Sequence, residues 1–65
     1  MYKIKKSNGI YYLLHGKTRV MANTDFGEFC RKVILKIQPT LSTAEKIYYA
    51  VSVGDFTTAT ELVNL

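Results

Sequence analysis

Residues 7–18, which read SNGIYYLLHGKT, decide the fold of this chain. The pair Asn8-Gly9 lies between two strand-like runs, and it is the strongest short-range signal of a hairpin because a type I′ turn needs positive φ at both central residues. Further along, Gly16 suits the first central position of a type II′ turn. The stretch therefore predicts two hairpins that share a central strand at residues 10–14.

The flanking sequence supplies the two outer strands. Residues 2–5 read YKIK and alternate apolar and charged side chains, which is the period-two pattern of a half-exposed strand. Residues 18–22 follow the second turn and form the third strand. The central strand is apolar and aromatic throughout, as expected for a strand that is covered on both faces. The sequence thus predicts a three-stranded antiparallel β-meander over about residues 2–22.

The two turns also predict which residues lie opposite each other. Lys5 is expected opposite Tyr12 across the first hairpin, and Met21 opposite Tyr12 across the second. Across both hairpins, Leu13 is expected between Ile4 and Val20. One face of the sheet is then apolar and carries Tyr2, Ile4, Tyr11, Leu13, Val20 and Ala22. The other face mixes cations with large apolar side chains and carries Lys3, Lys5, Tyr12, Leu14, Arg19 and Met21.

The remainder of the chain is predicted to be helical. Asp25 and Glu28 resemble a capping box, with Asp25 as N-cap and the Glu28 side chain returning to the Asp25 amide. A clean apolar stripe at helical spacing follows over residues 26–37. Pro39 ends this helix because the residue before a proline is pushed out of the α region.

Two further stretches have the same character. Ser42 is expected to cap a helix over about residues 43–53, and Gly54 suits its C-terminal cap. Asp55 can cap a last helix over about residues 56–64. The sequence therefore predicts one α+β domain over residues 1–65, a meander followed by two to three helices. The first helix is expected to pack on the Ile4, Leu13 and Val20 face.

Composition narrows the classes of function. The formal net charge is +4, and residues 1–23 hold five lysines and arginines and no acid. One cysteine and one histidine exclude an internal disulfide and a structural zinc site of the usual four ligands. No apolar run approaches the roughly 18 residues of a membrane span. A lone cysteine fits a reducing compartment, so we expect a cytoplasmic protein without a membrane segment.

Catalytic chemistry finds no support in the sequence. His15 lies at a turn, and Cys30 lies on the apolar stripe of the first helix, where a cysteine behaves as a small hydrophobe. Four of the five acids fall at helix N-termini, where carboxylates act as caps. We therefore predict that the chain is not an enzyme and has no catalytic residue, cofactor, metal or small-molecule substrate.

The mixed face of the sheet is the predicted site of function. It combines Lys3, Lys5 and Arg19 with Tyr12, Leu14 and Met21, a composition typical of partner surfaces. The favoured function is a non-enzymatic protein that regulates or inhibits a macromolecular partner, either another protein or a second copy of itself. A short basic chain rich in Lys, Ile, Tyr and Asn suggests an accessory protein of a phage or mobile element, which would act in the host cytoplasm. The alternative is a nucleic-acid-binding module that uses the same basic face.

Overall fold

The computed structural model describes every residue from Met1 to Leu65. A three-stranded sheet precedes three helices, so the predicted α+β architecture is confirmed. The strands are β1 (Tyr2–Ser7), β2 (Ile10–His15) and β3 (Thr18–Asn23), antiparallel and in the order β1-β2-β3. The helices are α1 (Phe26–Ile37), α2 (Leu41–Ser52) and α3 (Phe56–Val63). None of these helices has the length and apolar character needed to cross a bilayer.

Both hairpin turns adopt the backbone conformations that the sequence predicts. Asn8 and Gly9 have φ angles of 53° and 78°, as a type I′ turn requires. At the second turn Gly16 has a φ of 62°, while Lys17 keeps a negative φ, which matches a type II′ turn. The predicted β1–β2 register is also confirmed, since Lys5 lies opposite Tyr12.

The predicted β2–β3 register was wrong beyond the first two pairs. His15 lies opposite Thr18 and Leu14 opposite Arg19, as the turn requires, but Leu13 then lies opposite Met21. The shift arises from a β-bulge, in which β3 has one residue more than β2 between adjacent pairs. Since side chains alternate between faces, every later residue of β3 moves to the opposite side of the sheet.

The bulge reassigns two side chains. Met21 was predicted on the mixed face, but it packs against the buried core together with Val20. Ala22 was predicted in the core, but it lies opposite Tyr12 and is exposed. The core thereby gains a long flexible methionine in place of an alanine methyl group.

Helix α1 begins and ends at the predicted residues. Asp25 caps its N-terminus, because the Asp25 carboxylate accepts a hydrogen bond from the Glu28 N–H at 2.8 Å. The other half of the predicted capping box is not formed. The Asp25 N–H donates instead to Oδ1 of Asn23 at 2.8 Å, and the Glu28 carboxylate pairs with Arg31 at 2.9 Å.

Helix α2 begins two residues earlier than predicted. Its N-cap is Thr40 and not Ser42, since the Thr40 hydroxyl accepts the N–H of Thr43 at 3.2 Å. Helix α3 follows the prediction at its start. The Asp55 carboxylate accepts the N–H of Thr58 at 3.2 Å and the Thr58 hydroxyl at 2.7 Å.

One buried cluster joins the sheet to the helices. Ile4 and Leu13 supply the sheet's fully buried side chains, at 1% and 0% exposure. The helices complete the cluster with Phe29, Cys30, Val33, Ile47, Ala50, Val51, Ala59 and Val63. Helix α1 packs over β2 and β3 as expected, while α3 packs along β1.

The outer edge of β1 is held by polar side chains of α3. The Asn64 amide accepts the Tyr2 N–H and donates to the Tyr2 carbonyl, both at 2.7 Å. One helical turn earlier, the Thr60 hydroxyl accepts the Ile4 N–H at 3.0 Å. Four residues of helix advance about 6 Å and two residues of strand about 6.6 Å, so the two pairs align. We call Thr60 and Asn64 the α3 clasp.

Candidate functional site

The side of the sheet that faces away from the helices forms the candidate site. We call it the outer face. Its members follow from the observed register and are Lys3, Lys5, Ser7, Ile10, Tyr12, Leu14, Arg19 and Ala22. Five of the six predicted partner-binding residues therefore share this face, and Met21 does not. The expectation that both faces of β2 are covered was wrong, because α1 and α3 pack on the other face and α2 packs against these two helices.

The outer face has an apolar centre and cationic flanks. Tyr12 and Leu14 lie on the central strand and are half-buried by their neighbours. Lys3 and Lys5 project from β1 on one side, and Arg19 projects from β3 on the other. This arrangement arises from the sequence, since residues 2–5 of β1 alternate apolar residues with lysine while residues 10–14 of β2 are all aliphatic or aromatic.

A shallow cavity of about 380 Å³ runs along this face. Only residues of the sheet and its second turn line it, namely Lys5, Ser7, Tyr12, Leu14, Lys17 and Arg19. We call this cavity the outer cleft. Ser7 and Lys17 were not among the predicted site residues. Lys17 could have been included from its place in the turn beside Arg19.

The Tyr12 ring lies at the centre of the outer cleft between two cations. The Lys5 ammonium is 5.7 Å from the ring centroid, and the Arg19 guanidinium carbon is 5.2 Å from it. Both distances fall within the range of cation–π contacts. The two cations come from the strands on either side of Tyr12, so they hold the ring in place and crowd its faces.

No carboxylate lines the outer cleft, and Glu61 lines the neighbouring cavity at the β1 edge together with Lys3 and Lys5. Glu28 is paired with Arg31 on α1, and the hydrogen bond and charge of Arg31 lower the pKa of that carboxyl. Asp25 and Asp55 cap helices, and hydrogen bonds from Thr58 lower the pKa of Asp55. The structure thus concentrates positive charge on one face and ties these three acids to the helices.

The two residues with catalytic potential lie apart. Cys30 is fully buried in the core, and burial raises the pKa of its thiol to about 11. A thiol with that pKa is a poor nucleophile near neutral pH. The His15 ring packs on the Tyr2 ring with centroids 4.7 Å apart at the exposed end of β2. No three metal-ligating side chains come together anywhere in the molecule.

Apolar side chains are also exposed on the helices. Leu35 on α1 and Tyr49 on α2 are 62% and 69% exposed, and Val53 at the end of α2 is 57% exposed. A further cavity of about 330 Å³ lies at the β1 edge beside Phe56 of α3.

Comparisons with protein-family models, with curated proteins and with solved structures found no match to this chain. The function is therefore inferred from the charge and the apolar side chains of the outer face.

Proposed function

We propose that this chain is a non-enzymatic binding protein that regulates or inhibits a protein partner by covering part of its surface with the outer face. The observation that carries the proposal is a sheet face without a helix over it, where half-buried Tyr12 and Leu14 lie among exposed cations. Aromatic residues and arginine are enriched where proteins meet, and an apolar centre with a polar rim is the common anatomy of an interface.

The edges of the sheet are poor sites for a partner, which favours its face. The α3 clasp occupies the β1 edge at Tyr2 and Ile4. The β3 edge is interrupted by the bulge and carries the exposed Arg19. Bulges, charged edge residues and covered edges all oppose strand addition. A partner therefore meets side chains of the outer face and not the backbone of an edge strand.

Nucleic acid is the second candidate, because the outer cleft is cationic and holds an aromatic ring. Binding of single strands usually combines cations with aromatic rings on which bases stack. Here Tyr12 is the only ring on the outer face, and Lys5 and Arg19 already lie over it. A base could stack only after a cation moved away, which favours a protein partner.

The single cysteine and the basic, short chain also support a setting for this function. We place the protein in the cytoplasm, as an accessory protein of a phage or mobile element acting on a host protein. Self-association through the same face is the simplest competing form of protein binding.

Partner capture with matched charge variants tests the proposal. The face variant Lys5→Glu/Arg19→Glu and the control Lys32→Glu/Lys46→Glu lower the net charge by the same amount, and all four residues are exposed. We expect the wild type and the control to recover the same protein from a nuclease-treated lysate, and the face variant to lose it. The purified partner should then lose activity when the wild-type chain is added.

Three results would overturn the proposal. The face variant could recover the partner as well as the control does, which would move the interface to the helices. Wild-type chain could bind oligonucleotides with an affinity that falls steeply with salt, which would favour the second candidate. Sedimentation could show a dimer that only the face variant dissociates, which would assign the outer face to self-association.

A further inference from the structure

We infer that the outer cleft takes an extended segment of the partner that carries acidic side chains on both sides of an apolar one. This inference rests on the proposed function and adds the chemistry of what is bound. Its basis is the arrangement of charge in the cleft, where cations line both sides of an apolar centre and no carboxylate is present.

The length of the cleft suits a short extended segment. It runs from Ser7, at the first hairpin, to Lys17, at the second. Ile10 and Leu14 mark this span on the central strand, and four residues of strand extend about 13 Å. About five residues of extended chain cover that distance. An isolated helix needs roughly 12 or more residues to be stable, so a bound segment of this length is extended.

The position of the cations suits side chains that project to both sides. Lys5 lies on the β1 side of Tyr12, while Arg19 and Lys17 lie on the side of the second hairpin. Successive side chains of an extended chain point in opposite directions. Carboxylates at adjacent positions of such a segment can therefore reach both flanks, and the Arg19 guanidinium can donate two parallel hydrogen bonds to one carboxylate.

The apolar centre of the cleft favours a segment that has an apolar side chain as well as acidic ones. Tyr12 and Leu14 are half-buried, and Ala22 leaves open space opposite Tyr12 because its side chain is short. An apolar side chain of the segment would cover Leu14 and remove apolar surface from water. A purely acidic segment would leave that surface uncovered, so we expect it to bind less tightly.

Titration with a defined peptide tests this inference. The probe is a seven-residue peptide with one leucine between two runs of three glutamates and with blocked ends, added to isotopically labelled wild-type chain and followed by amide chemical shifts. We expect saturable shifts at Tyr12, Leu14 and Arg19, and at least tenfold weaker binding when glutamine replaces glutamate. A heptaglutamate peptide should also bind several-fold more weakly.

Matched variants localise the binding. The face variant Lys5→Glu/Arg19→Glu should weaken peptide binding by about tenfold, since it removes two exposed charge contacts that are each worth up to about fivefold in affinity. The control Lys32→Glu/Lys46→Glu should bind as the wild type does. Circular dichroism must show both variants folded. As a single substitution on a fully exposed side chain, Lys17→Glu gives a second reading with little risk to folding.

The outcomes separate this inference from the proposed function. Equal binding of the glutamate and glutamine peptides, or shifts confined to the helices, would overturn the acidic segment. If partner capture still depended on Lys5 and Arg19, the proposed function would survive that failure. Tighter binding of a ten-residue oligothymidylate than of the glutamate-leucine peptide would overturn both in favour of nucleic acid.

Discussion

The α3 clasp predicts a measurable loss of stability when Asn64 is changed to alanine. This substitution removes two hydrogen bonds that join α3 to Tyr2, each at 2.7 Å. It also removes one from the Asn64 amide to the Thr60 carbonyl within the helix, again at 2.7 Å. A typical hydrogen bond contributes about 0.5–1.5 kcal/mol net, and Asn64 is exposed, so water replaces part of what is lost. We expect a loss of about 1–2 kcal/mol.

That loss is a sizeable part of the whole. A domain of this length is typically stable by about 3–10 kcal/mol, so Asn64→Ala should lower the melting temperature by roughly 5–15 °C. Urea unfolding at 25 °C, followed by circular dichroism, measures the free energy directly. The slope of free energy against urea should stay unchanged, because the buried core is untouched.

Two comparison variants make the measurement specific. Asn64→Asp keeps an acceptor for the Tyr2 N–H but points an oxygen at the Tyr2 and Thr60 carbonyls, so it should be at least as destabilising as alanine. Glu61→Ala lies on the same helix, and the Glu61 side chain makes no hydrogen bond, so it should change stability by less than about 0.5 kcal/mol. If Asn64→Ala were as stable as Glu61→Ala, the clasp would contribute nothing and the reasoning would be refuted.

The remaining predictions concern the corrected register, the buried thiol and a helix cap. Met21→Asp should lower the free energy of unfolding in urea by about 2–4 kcal/mol, because Met21 packs on the core. Ala22→Asp should lower it by less than about 0.5 kcal/mol, because Ala22 is exposed. A larger loss for Ala22→Asp than for Met21→Asp would support the register without a bulge. Cys30 should resist a thiol reagent at pH 8 until urea unfolds the chain, since it is buried and its thiol pKa is about 11; rapid labelling of folded protein would contradict this burial. Asp55→Ala should lower the urea midpoint at pH 7 by removing the cap on Thr58. The pKa of Asp55 is lowered in the folded state, so its contribution is present above the unfolded pKa and is lost as pH falls through the folded one. The Asp55→Ala and wild-type stabilities should therefore converge in acid, and a constant difference down to pH 2 would argue against a charged cap.

The turns and the first helix were predictable because their signals are local. Asn8-Gly9 and Gly16 have the positive φ angles that their residue types favour. Helix α1 has an N-cap at Asp25 and a single apolar stripe, and only one face of the helix can therefore pack on the core. In each case a few adjacent residues contain all the information that the local structure needs.

The bulge and the α2 cap were missed for a different reason. Residues 18–23 contain no glycine or proline to mark a bulge, and both Val20 and Met21 are acceptable core residues. The bulge lets Val20 and Met21 both face the core, so that methionine packs there where the register without a bulge would place Ala22. At α2, the run from Thr40 to Thr43 offers several capping side chains, and starting at Thr40 adds helical residues after Pro39.

The candidate site was predictable where it depends on β1 and β2 and not where it depends on β3. Lys3, Lys5, Tyr12 and Leu14 follow from the first hairpin alone. Met21 was misplaced because a single extra residue inverts the face of everything after it. The α3 clasp was beyond sequence reasoning, since its two side chains join residues 56 and 62 positions apart.

The α3 clasp also fixes where the two ends of the chain lie. Because Asn64 bonds to Tyr2, the first and last residues are neighbours on the β1 edge. A short linker from Leu65 to Met1 would turn this most distant pairing into a local one, and the chain could be reopened at the exposed turn at Gly54. Such a circular permutant would make the α3–β1 contacts local while separating α2 from α3 along the chain, and folding rates depend on how local the native contacts are. The clasp therefore ties the speed at which this small sheet assembles to the order in which its elements are connected.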